Sequence, residues 1–203
     1  MENRKKGYLF VHFTGESPEG EQVYYALSRD GLHWQDLNGQ KPVIRWKAGE
    51  KGVRDPFIVR SVIDGKFYII ATDLRIIVEE AGVFYRFSKD ETTKKVRMDR
   101  GTSLQGEFTE MDAETLNVLM GVEGPAAFSI GEEGEWCLMV DRFAEGLGYL
   151  PLICTSLEKG DFKVAEPGDY HMGDVCKRHG SVLVLKEEEY ERLQTCFGNK
   201  VSE

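Results

Sequence analysis

Short runs of apolar residues, rich in aromatic and β-branched side chains, recur along almost the whole chain. Glycine, aspartate and asparagine separate the runs, as at Arg29-Asp30-Gly31 and Asp64-Gly65. This pattern predicts antiparallel strands joined by tight turns. The predicted strands are residues 8–13, 22–28, 33–37, 57–60, 67–71, 83–88, 95–98, 126–130, 136–141, 149–155, 162–164 and 181–185. Helices are predicted only at 112–120 and 187–193.

Several predicted strand pairs begin in the same way. A polar or acidic residue next to proline or glycine precedes an apolar strand, a glycine turn and an aromatic-rich strand. This arrangement starts at Asp55-Pro56 and Glu123-Gly124, and more weakly at His179-Gly180. Repetition of a sheet unit favours a propeller over a sandwich or a barrel. We therefore predict an all-β fold, a β-propeller-type repeat of antiparallel sheets, with residues 1–203 as a single domain.

The net charge of the chain argues against two classes of partner. The net charge is −9, from 26 basic and 35 acidic residues, which argues against nucleic acid and against an anionic membrane surface. A neutral partner such as a sugar is compatible with this charge.

The apolar residues near the start of the sequence, 8–13, are interrupted by His12, and no small-residue cleavage site follows them. We therefore interpret them as a strand rather than a signal peptide and predict a cytoplasmic location.

The four cysteines are scattered and form no CxxC pair. In a chain without a secretion signal, this spacing predicts reduced thiols and argues against zinc.

Two acidic residues, Asp55 and Glu123, stand directly before predicted inner strands of different sheets. In a propeller such residues converge near the central axis, and two facing carboxyl groups are the arrangement that hydrolyses glycosides. The alternative from the residues alone is that both are ordinary turn and capping residues.

Seven segments, taken together and in order, resemble glycoside hydrolase family 43. They are GYLFV (7–11), YALSRDGLHW (25–34), GVRDPFI (52–58), FYIIATDL (67–74), FYRFSKDE (84–91), EGP (123–125) and RHGSV (178–182). The family consists of five-bladed propellers that cleave α-L-arabinofuranosyl or β-D-xylosyl linkages with inversion. The resemblance implies an oligosaccharide or glycoside as the partner.

The resemblance also implies roles for individual residues. The family uses an aspartate base, a glutamate acid and a second aspartate that tunes and orients the acid. Asp55 matches the base and Glu123 the acid. His179 matches a histidine that lies near a calcium ion in many members; no other cofactor is implied. Candidate substrate-binding residues are Arg54, Trp46 and Arg178.

The chain departs from the family between residues 74 and 84. Family members carry about two further repeats there, including the strand with the second aspartate, whereas here only residues 75–83 join the flanking segments. Glu79 or Glu80 is a candidate substitute, but a solvated turn is the favoured interpretation.

These features predict a shortened protein with weak or absent hydrolase activity. The alternative is a non-catalytic carbohydrate-binding or assembly protein. An acidic side chain near Glu123 favours the enzyme. We also predict that the strand after residues 178–180 joins the sheet of residues 8–13, and that the missing repeats leave open edges that a homodimer covers.

Overall fold

The structure, a computed structural model, describes residues 7–45, 53–71, 76–80, 82–104, 106–131 and 134–198. The strands and helices in chain order are β1 (Gly7–His12), β2 (Tyr24–Ser28), β3 (Trp34–Asp36), β4 (Pro56–Arg60), β5 (Phe67–Ala71), β6 (Ile76–Glu80), β7 (Val83–Asp90), β8 (Lys95–Gly101), β9 (Thr109–Glu110), α1 (Glu114–Val118), β10 (Glu123–Ser129), β11 (Trp136–Asp141), β12 (Tyr149–Cys154), β13 (Lys163–Val164), β14 (Gly180–Leu185) and α2 (Glu187–Phe197). They form two compact units, one from Met1–Thr72 with Tyr170–Glu203 and one from Asp73–Asp169.

The first unit contains a four-stranded sheet in the order β14-β1-β2-β3. The first and last described strands, β1 and β14, are therefore neighbours in one sheet, which confirms their predicted pairing. Gly180 stands opposite His12 in this pairing. A Cβ atom at Gly180 would lie 2.1 Å from the carbonyl oxygen of Val11, so only glycine allows β14 to approach β1 this closely.

The first unit also contains the hairpin of β4 and β5. The backbone N–H of Ile58, on β4, donates a hydrogen bond of 2.9 Å to Ser181 Oγ, on β14. Ile58 is buried in the core that β1, β2 and β14 share, together with Leu9, Val11, Val23, Leu27, Leu37, Val53, Leu185 and Tyr190. This packing brings the residues just before β4 and just before β14 to the same end of the unit.

The second unit consists of two four-stranded antiparallel sheets, β6-β7-β8-β9 and β10-β11-β12-β13. Each sheet is formed by strands that are consecutive in the sequence, as in a propeller blade. Phe87 and Phe162, both buried, pack edge to face in its core with ring centroids 6.0 Å apart.

The predicted all-β class is confirmed: strands in antiparallel sheets dominate, and the two predicted helices, α1 and α2, are short. Neither of these described helices has the length and apolar character needed to cross a membrane. The expectation of a solvated turn at Glu79 and Glu80 is wrong, because Ile76–Glu80 is a strand that pairs with β7. That residues 1–203 form one domain stays a prediction.

Candidate functional site

Asp55 lies immediately before β4 in a backbone conformation that few non-glycine residues adopt. Its φ is +50°, in the left-handed region, although it precedes Pro56, a position that usually holds extended backbone. Backbone strain of this kind is concentrated at functional sites. The carboxylate is about one quarter exposed, and its Oδ1 lies 2.8 Å from Nδ1 of His179.

His179 is positioned by the entry into β14. The backbone N–H of Arg178 donates to the carbonyl of Phe13 at 2.8 Å, and the Phe13 ring packs edge to face on the His179 imidazole at 6.0 Å. The structure therefore brings together Asp55 and His179, two of the residues selected from the sequence.

Arg54 makes ion pairs within the first unit. Its guanidinium contacts Glu21, with Nε donating at 2.7 Å, and Glu16 at 3.3 Å. Arg178 is half-buried. Trp46, the third candidate substrate-binding residue, lies outside the described residues. Substrate binding by these three side chains stays a prediction.

The predicted calcium near His179 can be compared with the donor atoms of the first unit. His179 and Asp55 offer one nitrogen and one carboxylate, whereas calcium takes six to eight oxygen ligands. These two side chains alone do not fit a calcium site, and we assign no chemical step to a metal ion.

Glu123 is the first residue of β10 in the second unit, and its side chain is only 13% exposed. A β-bulge between Glu123 and Ala126 interrupts the pairing with β11. Gly124, in the bulge, has a φ of +54°, and its carbonyl accepts a 2.7 Å hydrogen bond from the Tyr149 hydroxyl. The bulge and this hydrogen bond fix the backbone that carries the carboxyl group.

Two side chains that we did not select from the sequence contact or face Glu123. Asp141, buried at the end of β11, stands directly opposite it, with carboxylate oxygens of the two residues within 4.8 Å. Lys89, on β7, donates a 2.5 Å hydrogen bond from Nζ to Glu123 Oε2. The second unit thus holds a cluster of two carboxylates and one ammonium.

The bulge explains why Asp141 was missed. The hairpin pairs Ala126 with Met139, and without a bulge this register would place Arg142, not Asp141, opposite Glu123. One feature of the sequence could have identified Asp141. It is the last residue of the predicted strand 136–141, which forms a hairpin with the segment that begins at Glu123.

Glu79 and Glu80, the suggested substitutes for the second aspartate, make other contacts. Glu79 accepts from the Gly82 backbone N–H at 2.6 Å. Glu80 accepts from the Trp136 indole at 2.8 Å and from the Leu157 backbone N–H at 3.1 Å. Both of the Glu80 oxygens are therefore used to join β6 to neighbouring segments of the second unit.

Asp55 directly precedes β4 and Glu123 begins β10, and a pair of carboxyl groups is the usual machinery of glycoside hydrolysis. A family model described as a probable glycosyl hydrolase domain, related to glycoside hydrolase family 43, matches residues 3–81 and 76–191. The chain belongs to this family. The two matched segments overlap at residues 76–81, within the stretch 75–83 where the resemblance predicts that repeats are missing.

One curated relative is an alpha-L-arabinofuranosidase of Bifidobacterium longum subsp. longum. It is 35% identical over 72 residues, which are 34% of this chain and 7% of the relative. The chain thus corresponds to a small part of that protein's length.

Proposed function

We propose that the protein is a glycosidase of the family 43 type that hydrolyses α-L-arabinofuranosyl or β-D-xylosyl linkages slowly and with inversion. Family membership and the arabinofuranosidase relative support the substrate class. The observation that carries the proposal is Asp141, which supplies a second carboxylate beside Glu123 although the family's own strand for it is missing. The sequence analysis predicted that an acidic side chain near Glu123 would favour an enzyme over a non-catalytic carbohydrate-binding or assembly protein. Asp141 is such a side chain.

In this proposal Asp55 takes a proton from water while the water oxygen forms its bond to the anomeric carbon. The bond from that carbon to the leaving oxygen breaks, and its electron pair stays on the leaving oxygen. Glu123 gives that oxygen a proton, and Asp141 orients the carboxyl group of Glu123.

Two features of the chain support a low rate. The missing repeats remove part of the wall that preorganises a family 43 site, and preorganisation supplies a large share of catalysis. In addition, Glu123 accepts a hydrogen bond from the Lys89 ammonium group, which competes with a leaving oxygen for its carboxyl group.

The proposal is tested with 4-nitrophenyl α-L-arabinofuranoside and 4-nitrophenyl β-D-xyloside at high enzyme concentration. We expect slow release of nitrophenol that Asp55→Asn reduces by at least about a hundredfold, the usual contribution of a general base. Lys94→Met, which changes an exposed ion pair with Glu91, is the matched control and should leave the rate unchanged. Release that persists in Asp55→Asn would overturn the assignment.

A second candidate function is carbohydrate binding without turnover. The Lys89–Glu123 hydrogen bond favours it, because a carboxylate engaged by an ammonium is suited to accept hydrogen bonds from sugar hydroxyls. Saturable binding of arabino- or xylo-oligosaccharides by calorimetry, with no hydrolysis on prolonged incubation, would support this alternative.

We also propose that the protein is a homodimer. Within the described residues, β5 has β4 as its only strand partner. Tyr68 and Ile70 lie on the face of the hairpin opposite to the buried Ile58, and they are 47% and 51% exposed. An open strand edge beside exposed apolar side chains is a typical site of self-association.

A further inference from the structure

Three segments of the second unit meet at the end where β10 begins. They are the end of β7 with the turn after it (89–94), the segment 118–122, and the loop 142–148 between β11 and β12. The backbone N–H of Gly121 donates to the carbonyl of Lys94 at 2.8 Å, and its carbonyl accepts from the backbone N–H of Ala144 at 3.3 Å. Because Glu123 follows directly after 118–122, the three segments adjoin the residue that the proposed mechanism makes the general acid.

The aromatic ring of Phe143, in the loop 142–148, lies beside Glu123. Lys89 Nζ is 4.6 Å from the centre of this ring and donates a 2.5 Å hydrogen bond to Glu123 Oε2. One ammonium group therefore contacts both the ring and the carboxyl group. Phe143 is partly exposed, so it is within reach of a ligand that approaches Glu123.

Hydrogen bonds within the loop hold it in place. The backbone N–H of Arg142 donates to the carbonyl of Gly148 at 3.0 Å, and its guanidinium donates to the carbonyls of Gly148 and Leu147 at 3.3 and 3.1 Å. The backbone N–H of Gly146 donates to the carbonyl of Phe143 at 3.3 Å. A side chain on a loop fixed in this way loses little freedom when a ligand binds, which lowers the entropic cost of binding.

Large apolar side chains on the same segments are exposed to water. Leu147, on the loop, is 57% exposed, and Met120 and Val118, on the segment that bonds to the loop, are 67% and 73% exposed. An apolar ring that covers such side chains gains free energy by removing apolar surface from water. The hydroxyl groups of a sugar ring would lose water here, and aliphatic side chains do not replace those hydrogen bonds.

The proposed mechanism determines which part of a substrate meets this surface. A general acid lies within about 3 Å of the oxygen that it protonates. The attacking water approaches from the opposite face of the sugar. The side chains that adjoin Glu123 therefore face the leaving group.

We propose that Phe143, Leu147 and Met120 form a subsite for the leaving group and select glycosides whose leaving alcohol or phenol carries an apolar ring. This inference rests on the proposed hydrolase function. The reaction itself is unchanged: the water oxygen bonds to the anomeric carbon and loses its proton to Asp55. The leaving oxygen keeps the electron pair of the broken bond and takes a proton from Glu123.

The test compares benzyl α-L-arabinofuranoside with methyl α-L-arabinofuranoside. The two leaving alcohols have nearly the same acidity, so the substrates differ mainly in the apolar ring. We expect the wild-type protein to favour the benzyl glycoside in kcat/KM by at least about tenfold, since even one methylene group in an apolar pocket is worth about this factor. Phe143→Ala should lower this preference by at least about fivefold, through slower hydrolysis of the benzyl glycoside alone.

Three further variants separate the subsite from general effects on the fold. Phe143→Tyr keeps the ring and should keep the preference. Leu147→Ser, at a mostly exposed position, should lower the preference and carries the test if circular dichroism shows that Phe143→Ala does not fold. Val164→Ala is the matched control, because it trims an exposed apolar side chain on β13, at the other edge of the same sheet, and it should leave the preference unchanged.

The outcomes distinguish this inference from the hydrolase proposal. Hydrolysis without a preference for the benzyl glycoside, or with a preference that Phe143→Ala and Leu147→Ser leave unchanged, overturns the subsite and leaves the hydrolase proposal standing. Equal losses on both substrates also overturn the subsite, because they indicate a structural role for these side chains.

If no variant hydrolyses either glycoside, the hydrolase proposal fails and binding tests the subsite separately. Saturation-transfer NMR with the same two glycosides then reports contact between the protein and the benzyl ring. A signal from the ring that Phe143→Ala and Leu147→Ser weaken and Val164→Ala does not would support the apolar subsite. No signal, or one that all three variants retain, would overturn it.

Discussion

Glu123 and Asp141 face each other across β10 and β11, with carboxylate oxygens within 4.8 Å. The pairing depends on the bulge at the start of β10, which shifts the register by one residue. In the proposed mechanism, Glu123 is the general acid and Asp141 is the second carboxylate beside it. The proposal thus assigns to one sheet what the resemblance to family 43 assigns to a separate repeat.

Asp141→Asn should weaken hydrolysis of substrates with poor leaving groups. The substitution keeps the shape of the buried side chain and removes its charge, so Glu123 loses the carboxylate that orients it for proton transfer in the proposed mechanism. We expect kcat/KM for methyl α-L-arabinofuranoside to fall by about ten- to a hundredfold. A fall of the same size with the nitrophenyl glycoside would contradict a role in proton transfer.

Replacing Lys177 should destabilise the first unit strongly. Its side chain is fully buried and pairs with Asp36, whose other oxygen accepts from the backbone N–H groups of Asp174 and Val175 at 2.7 and 2.9 Å. Because Lys177→Met leaves a buried carboxylate without its cation, we expect the free energy of unfolding in urea to fall by about 3–5 kcal/mol.

The exposed Lys94→Met is the control for this measurement, with an expected change within about 0.5 kcal/mol. Equal effects of the two substitutions would show that the buried ion pair does not hold the segment before His179 in place.

Stability should decrease as the pH falls below about 6.5, because His12 is buried as a neutral ring. Burial, and then the charge of Lys177, lower its pKa in the folded state. Nδ1 lies 3.0 Å from the Phe13 carbonyl, and the ring stacks on Tyr24. The unfolded chain binds a proton at this position more readily than the folded chain does, so protonation favours unfolding.

Urea unfolding of the wild-type protein and of His12→Gln, at pH 7.5 and pH 5.5, isolates this contribution. Between pH 7.5 and pH 5.5 we expect the free energy of unfolding of the wild-type protein to fall by about 1 kcal/mol more than that of the variant. Equal losses would mean that His12 becomes protonated without unfolding.

Much of the fold follows from local patterns. The runs of aromatic and β-branched residues predicted twelve of the described strands because strands and turns depend on neighbouring residues, as in the hairpin of residues 57–71. Strand β6 was not predicted, because two consecutive acidic residues, Glu79 and Glu80, are typical of a solvated turn. In the structure Glu80 instead accepts hydrogen bonds from Trp136 and Leu157.

The candidate site was only partly predictable for a different reason. Asp55, Glu123 and His179 stand in recognisable motifs, so the sequence identifies them. Lys89 and Asp141 reach Glu123 only through contacts between strands, and a single bulge determines which residue faces it. Such contacts depend on register, which hydrophobic patterns do not specify to one residue.

The proposed homodimer predicts a mass of twice 23.1 kDa by light scattering at micromolar concentration. Tyr68→Lys with Ile70→Lys places charges on the exposed face of the hairpin and should shift the protein to monomer. Val164→Lys, at another exposed apolar position, is the control and should leave the mass unchanged. A mass of 23.1 kDa that does not depend on concentration would show that the face stays uncovered.

The central claim, inverting hydrolysis by Asp55 and Glu123, is tested most directly by the configuration of the first product. Proton NMR of a reaction with a stoichiometric amount of protein and 4-nitrophenyl α-L-arabinofuranoside resolves the two anomers of the released arabinose before they equilibrate. The account predicts that the β anomer forms first, because water attacks the face opposite the leaving group. Initial formation of the α anomer, or no release of arabinose at all, would contradict it.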